Sequence, residues 1–151
     1  GWSVTGPCPA LVPTPGAPGV PITGGGAVSV SSCLRATAGL TSNPASCLGF
    51  ADVFLHTAKV EGLPNVLLEA QLMGVPVVAT QAGGSAEAVL NGRTGFVLEE
   101  GKDLAGRLAR TVAEILENHE WRREAGNLAP VFVQDKFSIE TMLANTVKLY
   151  E

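Results

Sequence analysis

Charge is almost missing from the first third of this chain. Residues 1–51 hold one charged side chain, Arg35, and the other 23 Lys, Arg, Asp and Glu lie between Asp52 and Glu151. Cysteine is missing from the complementary part: Cys8, Cys33 and Cys47 are odd in number, and no Cys-x-x-Cys occurs. With His56 and His119 isolated, no metal-ligand set is read, and a disulfide scaffold is excluded for the charged part. No apolar run reaches the roughly 18 residues of a membrane-spanning helix. Residues 1–20 lack a basic stretch followed by an apolar core, so no signal peptide is read and a cytoplasmic location is the expectation. Basic clustering is scarce too. Arg107, Arg110, Arg122 and Arg123 are interleaved with Glu114, Glu117, Glu120 and Glu124, the pattern of solvated helix faces, and the net charge is −4. A surface that tracks nucleic-acid phosphates needs clustered cations, so no nucleic-acid partner is expected.

What residues 1–47 do contain is Gly, Pro, Ser, Thr, Ala and Val. Prolines at 7, 9, 13, 15, 18 and 21 break helices and remove ladder donors from strands, and Gly24-Gly25-Gly26 adds backbone entropy that little burial offsets. Ala27–Val30 is the one plausible strand. Three readings stay open for this irregular segment: a flexible Pro/Gly linker or tail, a stretch not native to the domain, or a folded element of unfamiliar type. The near-absence of charge counts against an ordinary disordered tail. No function is assigned to it, and the domain is drawn as residues 48–151.

From Ala51 the pattern changes to alternating elements. Ala51–Thr57 and Val75–Thr80 are short, β-favouring apolar runs, and Thr94–Leu98 is a third after the Asn91-Gly92 turn. Between them Asn65–Met73 reads as a helix with Val66, Leu67, Ala70 and Met73 on one buried face, stopped by Gly74. Ser85 is expected to cap a short helix to about Leu90. Lys102–Asn118 carries Leu104, Leu108, Val112, Ile115 and Leu116 at helical spacing. A further helix is expected near Glu120–Asn127, then a Val- and Phe-rich segment. Ser138 is expected to cap a last helix through Tyr150, with Ile139, Met142, Leu143, Thr146, Val147 and Tyr150 as its stripe. Strand–helix alternation with short connections predicts an α/β fold, a Rossmann-like parallel sheet with helices on both faces. In such sheets ligands sit at the carboxyl ends of the strands, which here are the loops Thr57–Pro64 and Gln81–Ser85.

The stretch Glu61-Gly62-Leu63-Pro64-Asn65-Val66-Leu67-Leu68-Glu69 carries the chemistry. Its two acids are separated by seven residues. The loop and first helical turn leave free amides, those of Leu63, Asn65 and Val66 among them, and such a terminus suits a diphosphate or a sugar hydroxyl. Pro64 has no donor. Glu61, ahead of the helix, can accept from hydroxyls of a sugar, and Glu69 one turn in can take two hydroxyls of a ribose.

These residues, with Gly74-Val75-Pro76-Val77-Val78-Ala79, Gly83-Gly84 and Glu87, Asn91-Gly92 and Thr94-Gly95, resemble the C-terminal domain of the retaining glycosyltransferases of family 4. That family has the two-domain GT-B fold, and the closing stretch FSIETMLANTVKLYE resembles its last helix. The resemblance covers roughly the last 100 residues. It implies transfer of a sugar from a nucleoside diphosphate sugar to a glycan or lipid-linked acceptor with retention, this chain supplying the donor-binding half. By the same resemblance Glu61 is the catalytic residue, contacting the donor sugar, and Glu69 holds the ribose. Gly62, Leu63, Asn65, Val66, Gly83 and Gly84 line the sugar and phosphate oxygens. No cofactor and no metal is implied, because the nucleotide sugar is a substrate. The other partners implied are an N-terminal acceptor domain missing from this sequence and peripheral contact with the inner face of a membrane. The family's upstream Arg and Lys, which clamp the diphosphate, have no counterpart before Ala51. The rival reading is a catalytically inactive nucleotide-binding or structural fragment of such an enzyme. A dinucleotide-binding domain is rejected because no Gly-x-Gly-x-x-Gly follows a strand.

Plainer readings stand beside these. Acids favour helix N-termini without any ligand, and Gly83-Gly84 can be an ordinary turn. His56, at a strand end near the site, reads as packing, and Lys59 as a solvated lysine.

Overall fold

In a computed structural model the structure describes residues 48, 49 and 51–150. The irregular segment 1–47, with its expected strand Ala27–Val30, lies outside the described residues. The elements run β1 (Phe54–His56), α1 (Asn65–Leu72), β2 (Val77–Thr80), α2 (Ser85–Ala88), β3 (Gly95–Leu98), α3 (Leu104–Glu117), α4 (His119–Phe137) and α5 (Ile139–Lys148). The strands form one parallel sheet in the order β1-β2-β3, with Phe54 beside Val77 and Val77 beside Gly95. All four residues of β2 are buried, as a central parallel strand requires.

Alternation along β2 sends side chains to two cores. Val77 and Ala79 pack with Leu67 and Ala70 of α1, with Ala88 of α2, and with Val75 and Val89. Val78 faces the other way, onto Leu108 and Ile115 of α3, with Phe96 and Trp121 at the margin. Helices therefore cover both faces, as expected. The spacing of Leu104, Leu108, Val112 and Ile115 is the reason α3 lies where it does: these are its core-facing positions, and Leu108 and Ile115 are buried among them.

Four details differ from the sequence reading. On α1 the buried face is Leu67, Ala70 and Gln71, while Val66 is 38% and Met73 42% exposed. Gln71 takes the inner place because its amide has partners there. Nε2 donates to the Leu67 and Ala88 carbonyls at 3.0 and 2.7 Å, and the Thr94 hydroxyl donates to Oε1 at 2.6 Å. The Leu90 amide then donates to Thr94 Oγ1 at 3.1 Å. The network ties α1, α2 and the turn into β3 together, with Gln71 and Thr94 both at 0% exposure. Buried amides and hydroxyls are tolerated when satisfied in this way.

Second, Ser85 does not cap α2: it is the first helical residue after Gly84, and its hydroxyl donates to the Ala82 carbonyl. Third, the helix expected to end near Asn127 continues to Phe137 with Pro130 inside it. Ala125, Ala129 and Val133, four residues apart, form its buried stripe, and that tertiary contact overrides the local preference of Val131, Phe132 and Val133 for strand. A backbone contact fixes where α4 crosses the end of α1. A Cβ at Gly126 would lie 2.7 Å from the Gly74 carbonyl oxygen, and one at Gly74, whose φ is +74°, 3.1 Å from that of Gly126. Fourth, Ser138 does cap α5, accepting from the Thr141 amide at 3.2 Å, but the helix ends at Lys148 and buries none of its residues. Its stripe of Ile139, Met142, Leu143 and Val147 is exposed.

Candidate active site

Parallel strands point their carboxyl ends the same way, so the loops after β1 and β2 must emerge side by side. Two hydrogen bonds lace them. The Thr80 hydroxyl at the end of β2 donates to the Ala58 carbonyl at 2.5 Å, and the Gly84 amide donates to the Gly62 carbonyl at 2.6 Å. The approach needs glycine at the second loop. Gly83 has φ +51°, and a Cβ there would stand 1.8 Å from the Glu61 carbonyl oxygen; one at Gly84 would stand 2.6 Å from that of Gly62. Gly83 and Gly84 thus meet Glu61 and Gly62 backbone to backbone. The Gly84 amide, already committed to Gly62, is not free for a ligand, a use of the pair that the sequence reading did not foresee.

Pro64 is buried and is the N-cap of α1, with no side-chain cap and no acid in the first turn. The Leu67 amide returns to the Pro64 carbonyl at 3.0 Å, while among the described residues the amides of Leu63, Asn65 and Val66 have no protein acceptor. They sit on exposed residues at the positive end of the helix dipole, the arrangement that receives an anion.

Glu61 and Glu69 occupy different surroundings. Glu61 is half-buried, with Oε1 at 3.3 Å from Nε2 of His56. Glu69, five residues into α1, is exposed, and its side chain makes no hydrogen bond or ion pair among the described residues. Lys59 is exposed, as read. The sequence reading put the ligand at the sheet edge formed by the loops Thr57–Pro64 and Gln81–Ser85. Two clefts among the described residues lie elsewhere. A cleft of about 540 Å³ runs along α4 and α5, lined by Leu128, Phe132, Lys136 and Thr141, and one of about 150 Å³ lies beside Phe96 and Trp121. No group of three or more His, Cys, Asp or Glu among the described residues is placed to hold a metal ion. No described helix is long and apolar enough to cross a membrane.

The sequence reading missed His56 as a neighbour of Glu61. The signal available was its place at the end of β1, two residues from Phe54 and five from Glu61, but only the fold of the loop brings the two side chains together.

Comparison with known proteins bears on these residues. The family described as glycosyl transferases group 1 matches residues 37–131, starting upstream of the boundary drawn at 48 from composition. The Vi polysaccharide biosynthesis protein VipC/TviE of Salmonella typhi is 42% identical over 99 residues, which are 64% of this chain and 17% of that protein. The capsular polysaccharide biosynthesis glycosyltransferase CapM of Staphylococcus aureus is 31% identical over 109 residues, 72% of this chain and 28% of that one. Among solved structures, Anabaena HepE in complex with UDP superposes with a TM-score of 0.61 at 28% identity, covering 68% of this chain and 29% of that one. The chain thus spans less than a third of the length of each of these proteins.

Proposed function

The chain belongs to the group 1 glycosyl transferases, and from that premise we propose that it is the donor-binding part of a retaining transferase that uses a nucleoside diphosphate sugar. The observation that carries the reading is the start of α1. Three amides without protein acceptors among the described residues, next to a half-buried acid and one turn ahead of an exposed one, suit the three parts of such a donor. The amides of Leu63, Asn65 and Val66 receive phosphate oxygens, Glu61 accepts from sugar hydroxyls, and Glu69 accepts from the ribose.

In the transfer the bond between the anomeric carbon and the diphosphate oxygen breaks, and the acceptor hydroxyl oxygen takes its place on the same face of the sugar. Charge grows on the leaving diphosphate as that bond lengthens. Fixed amide dipoles aimed at those oxygens stabilise it without reorganising during the step. The acceptor is a glycan or lipid-linked sugar of polysaccharide assembly, the setting of VipC/TviE and CapM. The open edge fits this division of labour: the second wall of the donor cleft and the acceptor site belong to an acceptor-binding domain in the whole enzyme. In the cell the reaction runs in the cytoplasm, at the inner face of the membrane when the acceptor is lipid-linked.

Calorimetric titration of the full chain with UDP and with GDP tests this. One of the two is expected to bind and to lose affinity on Glu69→Ala; binding of neither would refute the reading. The second reading is a catalytically inactive nucleotide-binding or structural fragment of such an enzyme. A transfer assay with labelled donor and acceptor extract separates the two.

A further inference from the structure

His56 ends β1 on the same face as Phe54, because alternate residues of a strand share a face. The two rings stack with centroids 6.4 Å apart and planes 17° from parallel. Phe54 packs in turn against the core of Leu67, Val77 and Ala79. The imidazole plane is therefore set by the core rather than by solvent. Its side chain is 17% exposed, and Nε2 lies 3.3 Å from Oε1 of Glu61. That contact has the reach of a hydrogen bond but not its alignment, and Nε2 is buried without a hydrogen-bond partner among the described residues. A histidine kept for packing has its ring nitrogens satisfied, since an unmatched buried donor costs about 1–3 kcal/mol. Here the unmatched atom faces the one acid in the loop.

We propose that His56 is the positioning residue for Glu61. With its proton on Nε2 the ring donates to Oε1, and a rotation of the glutamate, whose side chain is 33% exposed, brings the pair into line. Oε2 is then left to accept from the donor sugar. Site contacts are often loosely aligned without ligand and tighten on binding. The proposal rests on the reading of Glu61 as the sugar-contacting acid.

The test is calorimetry on the full chain with UDP, GDP, UDP-glucose, UDP-N-acetylglucosamine and GDP-mannose, comparing each nucleotide with its sugar conjugates. His56→Phe keeps the ring and removes the donor; His56→Gln restores a donor near Nε2. His56→Phe is expected to hold affinity for the free nucleotide within twofold while losing about tenfold for the conjugate. His56→Gln recovers most of that loss, and His56→Phe with Glu61→Gln is no worse than Glu61→Gln alone. Equal losses for nucleotide and conjugate would mean a purely structural histidine and would overturn the proposal. So would an unchanged conjugate affinity in His56→Phe where Glu61→Gln reduces it. If Glu61→Gln itself leaves conjugate binding unchanged, the reading of Glu61 fails and takes the proposal with it, an outcome told apart by that single variant. A ligand-free measurement covers a His56→Phe that does not fold. The Nε2 nitrogen resonance of His56, identified with His119→Gln, is expected to move on Glu61→Gln, and an unmoved resonance overturns the contact.

Discussion

Two polar clusters lie on either side of α1, and they obey opposite rules. Around Gln71 every donor and acceptor of the side-chain network has a protein partner, and its two central residues are sealed from solvent. Toward the start of the same helix, among the described residues, the amides of Leu63, Asn65 and Val66 and the exposed Glu69 carboxylate have no protein partner, and the buried Nε2 of His56 has no aligned one. The first arrangement stabilises a fold. In the second the exposed amides and carboxylate are left to water, and only the buried imidazole nitrogen carries the cost of an unmatched group. Satisfaction of hydrogen bonds, more than residue type, sets the structural cluster apart from the candidate site.

The comparison breaks most visibly at the backbone contact between the loops. Gly83→Ala drives a Cβ into the Glu61 carbonyl at a left-handed φ. It is expected to abolish nucleotide binding by at least a hundredfold and to cost about 3 kcal/mol in urea unfolding. Gln71→Leu strands the Ala88 carbonyl and the Thr94 hydroxyl, and is expected to cost about 2–3 kcal/mol with nucleotide affinity held within about twofold. Adding Thr94→Val should then cost less than the two single losses summed, because one network is being removed twice. Glu69→Ala reverses the signature. Its unfolding free energy stays within about 0.5 kcal/mol of the parent, while calorimetry shows nucleotide affinity lowered by about tenfold, the low end for a hydrogen bond to a charged group. Smallest is Ser138→Ala, outside both clusters. Loss of the α5 cap is expected to cost about 1 kcal/mol, seen as faster amide exchange in residues 139–148 with nucleotide binding untouched.

Much of this was legible beforehand, and what was not has identifiable causes. Strand runs such as Val75–Thr80 and the stripe of α3 declared themselves through periodicity, so the parallel sheet and its loaded edge followed. Gln71 was overlooked because a glutamine on a helix reads as solvated until its carbonyl partners, 17 residues away at Ala88, are known. Pro130 and the branched residues after it concealed the second half of α4, whose helicity comes from burial of Ala125, Ala129 and Val133. In the site, the residues near Pro64 were readable as a motif with free amides. The contact of His56 with Glu61 depends on a loop path that no spacing rule encodes. The glycine pair was read for a ligand when its first task is to let two backbones meet.

The Gly74–Gly126 contact makes two distant positions a single heritable unit. Gly126 is held by space, because a methyl there would stand 2.7 Å from the Gly74 carbonyl oxygen, and Gly74 is held chiefly by its φ of +74°. A library randomised at 74 and 126 together should return glycine at both, and escape from that pair would require the whole of α4 to slide along its neighbour.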